Sequence, residues 1–149
     1  MGGDFAPEAT VLGAIEARKE LADEDTLVLI GDEATIVDLL KREGQSPSDY
    51  EIVHSSEMIE MEEHPARAIS RKPNSSISIG FRMLKEGTLD SFASAGNSGA
   101  MLVGSMHVVR SIPGVIRPSI TSVLPKEDGG VGVILDVGIN ADCKPDVLY

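Results

Sequence analysis

The sequence predicts an α/β fold: a three-layer α/β/α arrangement around a mainly parallel, Rossmann-like sheet that is incomplete at both ends. Short apolar segments alternate with amphipathic helical segments, which is the pattern of βαβ units. Several predicted strands give way to helices at glycines. Residues 131–138 are almost entirely apolar, as expected for a strand buried on both faces. With 149 residues, the chain fits one domain.

The beginning of the chain predicts two helices with a strand between them. Asp4 is the expected N-cap of the first helix, and Pro7 is tolerated in its first turn. Residues 27–31 form a short apolar strand. Asp32 then caps a second helix, which ends at Gly44 because glycine favours the left-handed conformation of a helix terminator.

The remainder of the chain continues the alternation. Its predicted elements are a strand at 50–55, an irregular charged stretch at 56–74, a helix from Ser75 or Ser76 to Gly87, a strand at 91–96, a helix at 98–110, and strands at 120–124 and 131–138. The first helix has no strand before it, and residues 144–149 begin a helix that stops after about one turn. We therefore expect a piece of a longer α/β protein.

Charge and cysteine content exclude several classes of protein. Lys plus Arg number 13 against 24 Asp plus Glu, and the resulting net charge of -11 argues against nucleic-acid binding. The single cysteine, Cys143, allows neither an intrachain disulfide nor a cysteine-based zinc site, and is typical of a cytosolic protein. No signal-peptide pattern or membrane-span pattern is found. The glycine motifs of dinucleotide-binding proteins, P-loop nucleotidases and serine hydrolases do not occur.

The glycine-rich loop at residues 94–100, Ser-Ala-Gly-Asn-Ser-Gly-Ala, is the best candidate for a ligand site. Glycine lets a backbone approach a ligand, and free N–H groups at a helix start point at anions. The candidate anion contacts are Gly96, Asn97, Ser98 and Gly99. The alternative is a tight strand-to-helix turn in which Ser or Asn only caps the helix.

Other loops are expected at the same edge of the sheet, since ligands bind at the carboxyl ends of parallel strands. Gly2 and Gly3 precede the first helix, and Gly138 follows the last strand. Asp136 interrupts that apolar strand, and it either orients a catalytic group or cation or accepts N–H bonds from its own loop. Cys143 is a weaker candidate nucleophile because no base is evident beside it.

Three histidines give no metal-ligand spacing, so no metal site is predicted. His54 and His64 bracket the acidic stretch 57–63, which we interpret as a solvated segment. His107 lies in an apolar predicted helix and is expected in a core or an interface. The apolar helix at 98–110 also suggests a homodimer interface.

A local reversal of charge follows the acidic stretch. Residues 64–85 contain no acidic side chain but carry five basic ones, namely Arg67, Arg71, Lys72, Arg82 and Lys85. Such a patch is suited to docking a negatively charged partner. The alternative is an ordinary solvated helix surface.

Together the motifs resemble a known family. They are Met-Gly-Gly-Asp at 1–4 with Ala6 and Pro7, Gly31-Asp32, Ser-Glu-Met-Ile-Glu-Met at 56–61, the 94–100 loop, Pro113-Gly114 with Arg117-Pro118, and Leu-Asp-Val-Gly at 135–138 with Asn140 and Asp-Cys-Lys-Pro at 142–145. In this order, over the whole chain, the sequence resembles the PlsX family of bacterial phosphate acyltransferases. The chain then corresponds to the N-terminal part of the family's α/β domain, without its first strand and its large C-terminal portion.

The resemblance implies an enzyme that transfers a fatty acyl group from acyl carrier protein to inorganic phosphate. The acyl phosphate product feeds phospholipid synthesis. The family is homodimeric and cytoplasmic, in some cases peripheral at the membrane, where the missing portion makes the contact, and no cofactor is implied. Two alternatives are a phosphotransacylase that uses coenzyme A thioesters and a non-catalytic binding module.

On this reading the candidate residues take roles in acyl transfer. Backbone N–H groups around Gly96 and Gly99 hold phosphate and stabilise the oxyanion, assisted by Asn97 and Ser98. Three further residues, Asp4, Asp136 and Asn140, orient neighbouring groups or the substrate. The basic patch is expected to dock acyl carrier protein, which is acidic.

Overall fold

The computed structural model describes residues 2–116 and 118–139. Its helices are α1 (Glu8–Arg18), α2 (Glu33–Arg42), α3 (Pro65–Arg71), α4 (Ser76–Glu86) and α5 (Ser98–Gly104), and its strands are β1 (Val28–Gly31), β2 (Glu51–His54), β3 (Thr121–Pro125) and β4 (Val131–Leu135). A 3-10 turn, Pro47–Asp49, precedes β2, and a π-helical segment, Ser105–Val109, continues α5. The mixture of helices with a parallel strand pair confirms the α/β class.

The first hydrophobic core forms around the parallel pair β1–β2. The strands pair in register from Val28 with Glu51 to Gly31 with His54. Helices α1 and α2 contribute apolar side chains to this core, which is made up of Val11, Ile15, Leu29, Ile36, Leu40 and Tyr50. Leu40 is completely buried. Burial of the Tyr50 ring raises the pKa of its phenol.

Short-range signals set the helix boundaries here. The Asp32 carboxylate accepts a hydrogen bond from the Thr35 backbone N–H at 2.9 Å, so it caps α2 as predicted. Hydrogen bonds from the Thr35 hydroxyl and N–H keep the pKa of Asp32 below its ordinary value. Gly87 ends α4 at a φ of 74°, where a left-handed residue is required.

The second core is built from α3, α4 and α5 packed closely together. Its buried residues are Ile59, Ala68, Ile77, Phe81 and Ala100. The rings of Phe81 and Phe92 meet edge to face at 5.2 Å. Gly104 lets α5 approach this pair, since a Cβ there would lie 2.5 Å from Cδ2 of Phe81.

Three local expectations are wrong. Asp4 does not cap the first helix, which begins at Glu8 after Pro7. Residues 56–74 are not irregular throughout, since α3 forms there. Residues 91–96 are not a strand, because they pair with no strand of the described chain. They supply the Phe92 ring to the second core instead.

The last two strands also differ from the prediction. β3 and β4 pair antiparallel, from Thr121 with Leu135 to Pro125 with Val131. The connection at 126–130 is too short for the crossover that a parallel pair needs. The strand predicted to be buried on both faces is exposed: Val131 and Val133 are each 65% exposed.

Helix α5 ends before the predicted boundary at residue 110. The π-helical segment follows Gly104, and Arg110 closes it with a φ of 74°. His107 is exposed on this segment rather than held in a core. In the described part of the chain, no helix has both the length and the apolar character that crossing a membrane requires.

Candidate functional site

Two of the predicted glycine loops touch each other. A Cβ on Gly2 would lie 3.1 Å from Cα of Gly96, and a Cβ on Gly3 would lie 2.9 Å from the Ala95 carbonyl oxygen. Gly3 also has a φ of 112°, which side chains other than hydrogen rarely allow. The backbones at 2–3 and 95–96 therefore approach as closely as glycine permits.

Asn97 links this loop to the acidic stretch. Its Oδ1 accepts a hydrogen bond from the Ala100 N–H at 2.9 Å and so caps α5. Its Nδ2 donates to the carbonyl oxygens of Glu60, Met61 and Glu63 at 3.0–3.1 Å. The side chain is 5% exposed, and all its polar atoms have partners in the protein.

These contacts separate the roles of the loop residues. The donors of the Asn97 side chain are held by three carbonyl groups, so this side chain positions the loop, and its predicted anion contact stays a prediction. Gly99 is needed for packing, since a Cβ there would lie 2.4 Å from Cγ of Pro65, so its predicted phosphate role is not required to explain it. Ser98 is exposed beside Gly96.

The Lys72 side chain is engaged in contacts within the protein. Its Nζ donates to the Met58 carbonyl at 2.6 Å and pairs with the Glu63 carboxylate at 2.5 Å. The hydrogen bond from Lys72, with a second from the Glu60 N–H, lowers the pKa of Glu63. The predicted docking role of Lys72 stays a prediction, while Glu63 is held by these contacts and not only solvated as expected.

The acidic stretch has other structural contacts. Glu57 accepts a hydrogen bond from the Asn74 N–H at 2.8 Å, and Ser55 donates to the carbonyls of Glu57 and Asn74. His54 accepts from the Glu33 N–H at 3.3 Å, at the start of α2. Within residues 2–116 and 118–139, no group of three His, Cys, Asp or Glu side chains is arranged to hold a metal ion.

The other four basic residues of the predicted patch are exposed. Arg67 and Arg71 lie on α3, and Arg82 and Lys85 lie on α4. Among the described residues, none of the four forms an ion pair with a carboxylate. Their charges are therefore open to an incoming anionic surface.

A cavity of about 400 Å³ begins at the glycine loop. Gly96 and Ser98 line its mouth, and the segment 118–120 forms the opposite wall. The Ile120 carbonyl accepts a hydrogen bond from the Val137 N–H at 3.2 Å. The turn after β4 therefore lies one residue from the cavity wall.

That turn holds two other predicted residues. Asp136 is half-buried with a φ of 58°, and its carbonyl accepts from the Gly138 N–H at 2.8 Å. Asp4 is exposed near the other end of the site. Asn140 and Cys143 lie outside the described residues. Ser94 belongs to the predicted loop, but sequence reasoning missed two other serines of the cavity, Ser105 and Ser119, for which the local signal was a concentration of small residues.

Comparison with known proteins identifies the family. A family model described as "Fatty acid synthesis protein" matches residues 1–149. The chain belongs to this family. The resemblance to the PlsX family, carried by the motifs of the glycine loops, is thereby confirmed.

Relatives within the fatty acid synthesis protein family carry the name phosphate acyltransferase. The chain is 45% identical to that of Herpetosiphon aurantiacus, covering 99% of this chain and 39% of the relative. It is 44% identical to that of Acetivibrio thermocellus, covering 97% and 42%, and 43% identical to that of Endomicrobium trichonymphae, covering 99% and 44%. The chain thus spans about two fifths of the length of these relatives, consistent with the N-terminal part of such a protein.

Proposed function

We propose that this chain contributes the phosphate-binding loops of an enzyme that transfers a fatty acyl group from acyl carrier protein to inorganic phosphate. The observation that carries the proposal is the close contact between the loops at 2–3 and 95–96, at the mouth of an apolar cavity. The glycines of the two loops keep side chains away from this contact, and the N–H groups at the start of α5 favour a small anion beside it. Relatives named phosphate acyltransferase support the same chemistry.

The proposed reaction is a direct attack by hydrogen phosphate on the acyl thioester. A phosphate oxygen forms a bond with the carbonyl carbon, the carbon–sulfur bond breaks, and the sulfur leaves as a thiol that has taken the phosphate proton. The products are acyl phosphate for phospholipid synthesis and free carrier protein. The backbone N–H groups at 98 and 99 stabilise the oxyanion that develops on the carbonyl oxygen. Holding both reactants together removes much of the entropic barrier.

The loop needs support, and Asn97 provides it. By joining α5 to the carbonyls at 60, 61 and 63, Asn97 fixes the position of the N–H groups at 98 and 99. Asp136 remains a proposed orienting residue on the turn after β4, and Asp4 on the N-terminal loop; Asn140, outside the described residues, is proposed for the same role. Asp136 is tested by Asp136→Asn, for which we expect kcat to fall with little change in the KM for phosphate.

The assay that tests the proposal compares thioester donors in the full-length polypeptide. Acyl phosphate is measured as acyl hydroxamate after adding either acyl carrier protein thioester or coenzyme A thioester, with and without phosphate. Phosphate-dependent product from the carrier protein donor supports the proposal. Product from coenzyme A thioester alone assigns a phosphotransacylase, and no product from either donor assigns a binding module.

Docking of the carrier protein is proposed for the exposed cations Arg67, Arg71, Arg82 and Lys85. An acidic partner is attracted to this face although the chain is negative overall. The Arg67→Glu, Arg71→Glu double variant should raise KM for the acylated carrier protein at low salt and leave kcat unchanged. Lys19→Glu on α1 is the matched control, and an unchanged KM in the double variant contradicts the docking face.

The cellular location and the oligomeric state of the enzyme are proposed from the family resemblance. We propose a cytoplasmic homodimer, with peripheral membrane contact made by the part of the polypeptide beyond this chain. Exposed apolar residues of the π-helical segment, Met106 and Val109, are the proposed dimer contacts. Sedimentation of Met106→Glu against wild type tests this contact.

A further inference from the structure

We propose that the cavity behind Gly96 holds the acyl chain of the thioester, with its carbonyl end at the glycine loop. The inference rests on the proposed function and extends it to a substrate subsite. The cavity lies between α4, α5 and the segment 118–120. Four apolar side chains, those of Phe81, Met101, Leu102 and Ile120, form much of its lining.

Two of the serines that line the cavity form hydrogen bonds within the protein, and a third lies at the cavity mouth. Ser105 donates its hydroxyl proton to the Leu102 carbonyl at 2.8 Å, so this hydroxyl already has a hydrogen-bond partner in the preceding helical turn. Ser94 accepts from the Gly96 N–H at 3.1 Å. Ser98 lies at the mouth beside Gly96, next to the proposed anion site. An alkyl chain can therefore enter without leaving these two wall groups unsatisfied.

The cavity and the glycine loop share residues, and this determines which end of the acyl chain lies at the loop. Gly96 and Ser98 belong both to the cavity mouth and to the loop that contacts Gly2. A thioester carbonyl placed at this mouth lies beside the proposed anion site, and its alkyl chain can extend along the apolar lining of the cavity. The reacting carbon and the apolar subsite are thus adjacent.

Size and chemistry agree with one acyl chain. A volume of about 400 Å³ is within the usual range of ~300–1,000 Å³ for small-ligand pockets. A second cavity of about 410 Å³ beside Phe5 is lined by the charged groups of Asp38 and Arg42 and is unsuited to an alkyl chain.

The first test narrows the cavity and measures chain-length preference in the full-length polypeptide. Ser105→Phe should lower kcat/KM for the hexadecanoyl thioester at least about tenfold, while the butyryl thioester stays within about twofold. Leu12→Phe, on the exposed side of α1, is the matched control and should leave both values unchanged. An equal fall for both thioesters, with an unchanged urea midpoint, overturns the subsite while leaving the acyltransferase activity in place.

The second test does not depend on catalysis. The 149-residue chain has no tryptophan, so Ile120→Trp introduces a single reporter at the cavity, and Leu12→Trp places one on α1. The two positions are similarly exposed, at 40% and 45%. Dibromostearic acid should quench the Ile120→Trp variant saturably, spare the Leu12→Trp variant, and lose its effect when Ser105→Phe is added. Equal quenching of both variants overturns the inference, and specific quenching without acyl phosphate formation retains the subsite but rejects the transfer reaction.

Discussion

The two strand pairs of this molecule have similar apolar sequences and opposite surroundings. β1 and β2 pair in parallel beneath α1 and α2, and Leu29 is only 8% exposed. β3 and β4 form a hairpin whose valines Val131 and Val133 are each 65% exposed. Since β1 and β4 both consist of Val, Leu, Ile and Gly, the composition of a strand does not decide its burial. In the described part of the chain, the buried pair is the one on which two helices, α1 and α2, pack.

The largest expected difference between the two pairs is in side-chain truncation. Leu40→Ala removes a completely buried side chain from the core around β1 and β2 and should lower the free energy of unfolding by about 2–5 kcal/mol. Val133→Ala on the hairpin should lower it by less than about 1 kcal/mol. Urea denaturation followed by far-ultraviolet circular dichroism measures both.

Similar losses for the two variants would contradict the comparison. They would mean that the hairpin is covered in solution, and a concentration-dependent midpoint would show that a second copy of the chain covers it.

A second, smaller effect is expected at Asn97. Asn97→Asp keeps an oxygen to cap α5 but loses the Nδ2 donor and places a carboxylate against three carbonyl oxygens. We expect a loss of about 1–3 kcal/mol. The matched control is Asp32→Asn, where the cap bonds remain possible and the change should be a few tenths of a kcal/mol. Equal midpoints for Asn97→Asp and wild type would show that the carbonyl contacts do not hold the loop in solution.

Close packing in the second core gives a third prediction. Gly104→Ala should lower stability by about 1–2 kcal/mol, because a methyl group 2.5 Å from the Phe81 ring outweighs the better helix propensity of alanine. Gly13→Ala in α1, where nothing lies within 4 Å, should raise stability by about 0.5–1 kcal/mol. Thermal unfolding of the two variants checks the opposite signs, and a stabilised Gly104→Ala would place the ring elsewhere.

The smallest effect is a pH dependence at Glu63. Its pKa is lowered in the folded state by Lys72, so the folded protein binds fewer protons than the unfolded chain in the acid range. The stabilisation is therefore present above the ordinary glutamate pKa and is lost as the pH falls through the lowered value. The urea midpoint of Glu63→Gln should be below wild type at pH 7 and equal to it in strong acid. Glu62→Gln is the exposed control, and a gap that persists in acid would refute the ion pair as its cause.

The elements that the sequence predicts correctly are those whose boundaries are set by residues close together in the chain. β1, α2, β2 and α4 were predicted within a few residues because caps such as Asp32 and terminators such as Gly87 act within one helical turn. The helix α3 was missed because its short, charged sequence has little apolar periodicity. The antiparallel hairpin was predictable in principle from the short connection at 126–130, but the apolar run in β4 favoured a buried parallel strand.

The sequence predicts where the candidate site lies, but not the side-chain contacts that build it. The glycine spacing identified the loops at 2–3 and 96–99, and the structure shows that they touch. The partners of Asn97 lie 34–37 residues away, and those of Lys72 lie 9 and 14 residues away on the other side of α3, so no local pattern indicated them. Contacts of this kind depend on how the second core packs, which the sequence alone does not specify.

Because the Tyr50 ring is buried, the stability of the fold depends on pH in alkaline solution. Because burial raises the pKa of this group, the unfolded chain gives up its proton first as the solution becomes basic. The contribution of Tyr50 to the free energy of unfolding is therefore fully present below the ordinary tyrosine pKa. It is lost as the pH rises through the raised value. The core between α1, α2 and the parallel strands is thus where strong base should open the structure, and the ultraviolet absorbance of phenolate would record that opening.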